Sequence, residues 1–289
     1  MGVHAAMIAP TAPPTEPVWP HADCYGEVAV EGGTLPIAMA GDGVPVILLH
    51  GWTLDHRMWQ PQIAGLAGEF FLVMPDRRGC GRASAPTDLA QEAEDVIVIA
   101  DFLGFDRFAV VGLSQGATVA LDVARRFAGR LTGVVVSGAP LPALVTRDET
   151  IALDHYRALA AAGDLAALRK DWAAHPLMQG RTPDARALLA AMLADYTGRD
   201  LLTPSEAPGL PVEALRTLAP PVLALTGEHD TPWRKACAEM LAEVAPRARH
   251  ALIEGAGHLA NADNPGQFNA LVATFLRHCA APLKTGPSA

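Results

Sequence analysis

From about residue 25 the chain alternates short apolar runs with longer stretches of helical spacing. Residues 26–30 and 35–40 flank Gly32-Gly33 and predict a β-hairpin, because paired glycines supply the positive φ angles that a tight two-residue turn needs. Residues 44–49 form a short, continuously apolar run, followed by helical spacing over 58–67, a strand at 70–74 and a helix at 92–103. A strand at 108–111 leads into a helix at 114–127 with small residues on one side, and 131–136 is the next strand. Apolar, β-branched runs of this kind suit parallel strands covered by helices on both faces. Antiparallel strands first and βα units afterwards predict an α/β fold, with a mostly parallel central sheet and helices on either side.

The alternation stops between roughly 140 and 207, where no strand is apparent. Ala/Leu-rich stretches at 151–162, 165–174 and 184–197 have helical spacing and are separated by Gly163, Pro176 and the Gly180-Arg181-Thr182-Pro183 turn. A helical insertion inside a βα series is read most simply as a lid over one end of the sheet. The rhythm returns with a strand at 222–225, a helix at 233–244, a strand at 249–253 and a last helix at 265–278. That helix carries a start signal: Asn264 as N-cap, Pro265 at the first position and Gln267 at the third. The expected organisation is a proline-rich mobile tail over 1–24, an α/β core from 25–140 and 207–281, a helical lid over 141–206 and a short tail at 282–289. There is no internal repeat.

Composition narrows the function classes. Half of the 289 residues are hydrophobic and 18% are charged, which fits a compact protein with a sizeable core. The formal net charge of −9, with no local Lys/Arg cluster, argues against nucleic acid or an anionic membrane surface as a partner. No apolar run approaches the roughly 20 residues that span a bilayer. No Lys or Arg precedes the first apolar stretch, so a secretory signal is not expected and the cytoplasm is the default location. Cys24, Cys80, Cys237 and Cys279 are scattered without a CxxC pair, and read as reduced thiols rather than a disulfide framework or a zinc site. Oligomeric state is not legible, and a homo-oligomer stays open.

The strongest chemical signal is Gly112-Leu113-Ser114-Gln115-Gly116, which directly follows one predicted strand and directly opens a helix. In that strand–turn–helix setting G-x-S-x-G is a nucleophile elbow, with the serine hydroxyl held out on a sharp turn. The competing reading is an ordinary βα turn that holds a serine. A serine hydroxyl is a weak nucleophile and needs a base with an orienting partner. Of the ten histidines, His258 stands out in Glu254-Gly255-Ala256-Gly257-His258, a loop after a predicted strand. Reactive groups of open parallel sheets collect in such loops. Asp230, in Gly227-Glu228-His229-Asp230, also lies just past a strand, with Glu228 and Glu254 as alternative acids. His250 and His278 fall inside regular elements, His155 and His175 fall in the lid, and His229 reads as a loop residue. The order Ser114, Asp230, His258 is that of one hydrolase architecture and differs from the chymotrypsin and subtilisin orders.

At this point the sequence closely resembles the α/β-hydrolase family, over nearly everything from about Tyr25 to His278. His50-Gly51-Trp52 looks like that family's oxyanion loop, and the stretch from Asp76 to Ser84 looks like its D-x-R-G-x-G-x-S turn. Gly255-Ala256-Gly257-His258 with Asn264-Pro265 looks like its histidine loop and last helix. Residues 50–62 are most similar to the enol-lactonase, cofactor-free haloperoxidase and small-esterase branches, and serine at 114 disfavours the aspartate-nucleophile branches. The resemblance implies a serine esterase or lactonase working on a small-molecule ester or lactone without a cofactor. In it Ser114 is nucleophile, His258 base and Asp230 its orienting acid, and the backbone N–H groups of Trp52 and Gln115 form the oxyanion hole. A carbon–carbon hydrolase, thioesterase, amidase or perhydrolase would use the same triad, and a ligand receptor of the same fold is the reading from another class. Gly79-Cys80-Gly81 reads as a turn rather than a dinucleotide loop, since the third glycine is missing and Pro86 follows. No His/Asp/Glu cluster has zinc-ligand spacing, so no metal is expected. Trp172, Leu177, Met178 and Met192 are open between lining a substrate pocket and packing the lid itself.

Overall fold

A computed structural model describes residues 20–203, 205–207 and 209–280. Most of the proline-rich tail and all of the C-terminal tail expected from the sequence lie outside these residues. An eight-stranded sheet forms the middle of the molecule: β1 (Cys24–Val30), β2 (Gly33–Ala40), β3 (Val44–Leu49), β4 (Phe70–Pro75), β5 (Phe108–Leu113), β6 (Leu131–Ser137), β7 (Val222–Gly227) and β8 (Ala248–Ile253). Its spatial order is β1-β2-β4-β3-β5-β6-β7-β8. β1 and β2 form the predicted hairpin through Gly32 at φ +81, and β2 runs antiparallel to β4; every later pairing is parallel. The tail boundary at 24 needs correction. Cys24 opens β1, and Asp23 already donates its N–H to the Met39 carbonyl at 2.8 Å.

Eleven α-helices occur among the described residues. Those of the first half are α1 (Gln60–Leu66), α2 (Glu92–Phe102) and α3 (Gln115–Arg126). Between β6 and β7 come α4 (Leu153–Ala161), α5 (Leu165–Ala174), α6 (Pro183–Asp195), α7 (Arg199–Leu202) and α8 (Val212–Arg216). The last are α9 (Pro232–Val244), α10 (Ala260–Asp263) and α11 (Pro265–Ala280). The apolar run of β3 explains its position. Val46, Ile47, Leu48 and Leu49 are all essentially inaccessible, as are all six residues of β5. Fully burying each large aliphatic side chain is worth about 1.5–3 kcal/mol, so such runs settle where both faces are covered. Val46 and Leu48 pack into one core with Ile63, Leu66, Phe268 and Val272 of α1 and α11. Ile47 and Leu49 pack into a second with residues of α2, α3 and α9.

Three of the five inserted helices match the stretches read from the sequence. The short α7 and α8 were not anticipated; they contain four and five residues and follow Gly198 and Pro211. Leu215 of α8 is buried with the α9 side of the core rather than among the inserted helices.

The sheet order also places the site. From β3 the chain crosses to β4 on one side and then returns to β5 on the other. In open α/β sheets the crevice at such a reversal, beyond the carboxyl ends of the strands, is where ligands bind. Here those ends carry His50-Gly51-Trp52 and Ser114, and the register Leu49↔Gly112 sets them side by side.

Candidate active site

Ser114 occupies the turn between β5 and α3 with φ 53 and ψ −116, one of two non-glycine residues with positive φ among the described residues. Such a conformation is held only when its surroundings over-determine it. Here the strand ends and the helix begins within one residue, with the Ser114 N–H donating to the Ser137 carbonyl at 2.8 Å and its carbonyl accepting from Ala117 at 3.0 Å. Both flanking glycines are sterically required. A Cβ on Gly112 would overlap the Gly116 carbonyl oxygen, and one on Gly116 would overlap the carbonyl oxygen of Leu49. The pattern G-x-S-x-G is thus the sequence form of a close strand–helix contact.

His258 and Asp230 come together from the loops after β8 and β7. The two Asp230 carboxylate oxygens lie 3.0 and 3.1 Å from His258 Nδ1, and both residues are 5% exposed. A carboxylate accepts, so the contact keeps the proton on Nδ1 and leaves the Nε2 lone pair free to take one. Asp230 is itself fixed by the Thr231 N–H at 2.7 Å. Of the alternative acids, Glu228 accepts from the Gly255 N–H at 2.9 Å, and the carboxylate that meets His258 Nδ1 is that of Asp230. Asn264 caps α11 as expected, accepting from the Gln267 N–H at 3.1 Å.

The 50–53 loop is braced from beneath. His50 is fully buried and neutral in its bonding pattern: Nε2 accepts from the Arg77 N–H at 2.9 Å, so Nδ1 carries the proton it gives to the Gly51 carbonyl at 2.8 Å. Burial, then the Arg77 charge, pushes its pKa down to about 4. Arg77 also donates to the His50 carbonyl, to Gln115 Oε1 and, through Nε, to Glu92 at 2.7 Å. The Asp76 turn is a second brace. Asp76 accepts from the backbone N–H of His56 and Arg82 and from His56 Nδ1. Burial works to raise the Asp76 carboxyl, but the His56 hydrogen bond and charge bring it down to about 2. Cys80, in the Gly79-Cys80-Gly81 turn, is buried, and burial raises its thiol above the usual range. All four cysteines are free.

Two indole hydrogen bonds tie the same loop to the inserted helices. Trp52 Nε1 donates to Asp200 of α7 at 2.6 Å, and Trp172 Nε1 of α5 donates to Thr53 Oγ1 at 2.8 Å. Thr53 is the other positive-φ residue, at φ 64. Asp200 accepts also from the Tyr196 hydroxyl at 2.7 Å, and burial raises its pKa. A cavity of about 280 Å³ lies between this loop, the β5 elbow and the inserted helices. Trp52, Ser114, Gln115 and His258 line it, and Asp230 stands behind His258. Trp172, Leu177 and Met178 also line it, whereas Met192 faces a different cavity. Asp200 had no signal in the sequence, because an acid beside Arg199, past the last stretch of helical spacing, reads as a solvated position. The Asp55, His56 and Asp76 side chains lie close enough to hold a metal ion, but each is already engaged within the protein.

Comparison with known proteins agrees with this fold. The profile of the alpha/beta hydrolase family matches residues 46–271. A soluble epoxide hydrolase of Corynebacterium sp. (strain C12) is 34% identical over 99 residues, a match spanning 33% of this chain and only 35% of that protein. The carboxylesterase YbfK of Bacillus subtilis is 26% identical over 277 residues, 90% of each chain. Its crystal structure superimposes with a TM-score of 0.73 over 89% of this chain and 93% of that one, at 23% identity. The enol-lactonase of Burkholderia xenovorans LB400 shares the fold with a TM-score of 0.72 at 23% identity, over 87% of this chain and 99% of that one. With more than half of its length matched by the family profile, and the family's motifs in order at the carboxyl edge of the sheet, the chain belongs to the alpha/beta hydrolase family.

Proposed function

We propose that the protein is a serine hydrolase that cleaves a small carboxylic ester or lactone through an acyl-enzyme on Ser114. The observation that carries the reading is one of geometry: a serine at φ 53 on the tip of β5 shares a cavity with a histidine whose Nδ1 is held by a buried carboxylate. His258 Nε2 takes the Ser114 proton as Oγ attacks the carbonyl carbon, and Asp230 stabilises the imidazolium that forms. Charge then develops on the carbonyl oxygen. The backbone N–H groups of Trp52 and Gln115 receive it, the latter helped by the positive end of the α3 dipole. Collapse expels the alcohol with the proton from His258, and water activated by the same base releases the acid. The inserted helices act as the lid. Their Trp172, Leu177 and Met178 make the wall apolar, which suits an acyl or alkyl chain. The carboxylesterase named among the relatives supports an ester as the scissile group.

The test is hydrolysis of p-nitrophenyl esters from acetate to decanoate by the wild type and Ser114→Ala. The expected outcome is turnover that the substitution abolishes, with the best chain length reporting the depth of the cavity. Undiminished rates in Ser114→Ala would exclude Ser114 as nucleophile.

A further inference from the structure

We propose that the substrate carries a carboxylate remote from its scissile ester, held by Arg147 and Arg157 on the lid side of the cavity. The inference rests on the ester-hydrolase reading above and specifies its substrate class.

Most charged groups around the cavity are neutralised by a partner. Arg78 forms two hydrogen bonds to Asp95, Glu92 is paired with Arg77, and Arg234 is clasped by Glu149 through Nε and Nη2, the latter at 2.6 Å. Arg147 and Arg157 differ. Glu149 has one charge, and it is committed to Arg234, leaving Arg147 3.7 Å away with 41% of its side chain exposed. Arg157 meets Asp154, three residues earlier on the same helix, but that carboxylate is 97% exposed and screened by solvent. Arg157 keeps 41% of its side chain exposed and meets no second carboxylate among the described residues. Guanidinium charge left under-neutralised beside a ligand cavity suits an anionic ligand.

Position supports the assignment. Both arginines line the same cavity as Ser114 and His258, together with the apolar Ile151 and Leu153 of the same stretch. The Arg147–Glu149–Arg234 group abuts the proposed triad: Glu149 accepts from the Thr231 hydroxyl beside Asp230, and Arg234 donates to the Gly138 carbonyl next to His258. An ester in reach of Ser114 with a short apolar spacer would therefore bring a terminal carboxylate to the arginines, where guanidinium forks match its two oxygens.

Two measurements test this. In the first, kcat/KM is compared for monomethyl esters of straight-chain dicarboxylic acids and methyl esters of monocarboxylic acids of equal chain length. The expected preference for the anionic series is at least about tenfold, equivalent to about 1.4 kcal/mol. It should be greatest at one chain length, fall at high salt, and collapse toward unity in the Arg147→Gln/Arg157→Gln double variant. Equal rates, or a preference for the neutral series, overturn the proposal. In the second, calorimetric binding of dicarboxylates and matching monocarboxylates to Ser114→Ala reads the subsite without turnover. Tighter dicarboxylate binding that the double substitution removes supports it even where the methyl esters are not hydrolysed, a result that would count against the ester reading alone. Equal binding of the two acids overturns the subsite while leaving that reading intact.

Discussion

A single backbone angle separates Ser114 from the other three serines among the described residues. At φ 53 and ψ −116 its Cβ is crowded by its own backbone, a strain of order 1–3 kcal/mol that glycine does not feel. Both Ser114→Ala and Ser114→Gly remove the proposed nucleophile, so both should be inactive, but they should differ in stability. Glycine relieves the strain while adding about 0.5–1 kcal/mol of unfolded-state entropy. Ser114→Gly is therefore expected to be more stable than Ser114→Ala by about 1 kcal/mol in urea unfolding; the reverse order would show that the elbow is unstrained. His50 supplies a pH effect. Its folded pKa is about 4 against an ordinary 6.5, so the folded protein keeps it neutral where the unfolded chain protonates it. Its contribution is complete above pH 6.5 and is lost as pH falls toward 4, up to about 3 kcal/mol at 1.36 kcal/mol per unit. His56 acts in the opposite sense: its raised pKa gives a contribution that is present below 6.5 and lost only at higher pH. The lowered Asp76 carboxyl matters only below about pH 4. Subtracting the stability curve of His50→Gln from that of the wild type between pH 4 and 7 should isolate the slope. A flat difference would refute a neutral His50.

Whole elements were legible where periodicity had one meaning. β3, buried on both faces by its apolar run, begins and ends where the pattern places it, and α5 matches its predicted span. Ser114, His258 and Asp230 were legible for a similar reason, since each falls in a loop that follows a recognisable strand. Of the cavity wall, the apolar Trp172, Leu177 and Met178 were offered by the sequence as one of two readings, and the charged groups were not offered at all. Asp200, Arg147 and Arg157 act through packing between elements, and nothing local distinguishes them from solvated charges. Asp200 shows what that omission contains. From the four-residue α7 it holds the Trp52 indole and the Tyr196 hydroxyl, and so fixes the loop that carries one proposed oxyanion donor. One such donor is worth about 10²–10³ in rate, and a displacement should remove part of that. Asp200→Ala is expected to lower kcat by roughly tenfold or more with a smaller change in KM, and Asp200→Asn, which keeps an acceptor, to recover part of it. A variant less stable but unchanged in kcat would make Asp200 a structural residue only.

Across the whole molecule, the site exists only when distant stretches of chain meet. The elbow lies at 114 and the histidine at 258, and what fixes their separation is a buried amide network between the first helix and the last two. Gln62, fully inaccessible, donates to the Asn261 carbonyl at 2.9 Å and to Asn269 Oδ1 at 3.2 Å. Asn261, three residues beyond His258, returns Nδ2 to Gln62 Oε1 at 3.0 Å and to the Met58 carbonyl at 2.9 Å. Next to it Asp263 accepts from the Gly257 N–H at 2.8 Å and from the Arg181 N–H of the inserted segment at 2.6 Å. The histidine loop is thereby anchored to α1 and to the inserted segment rather than by its own sequence. Gln62→Leu keeps the volume roughly constant but leaves buried amide groups of Asn261 and Asn269 without their partner, which costs about 1–3 kcal/mol per group when uncompensated. The expected result is a urea midpoint lowered by an equivalent of about 2–3 kcal/mol with m unchanged, and a lower kcat from a less firmly held His258. A loss under about 0.5 kcal/mol, typical of surface positions, would mean that the histidine loop is held by its contact with Asp230 and the apolar packing of α11, not by the amides.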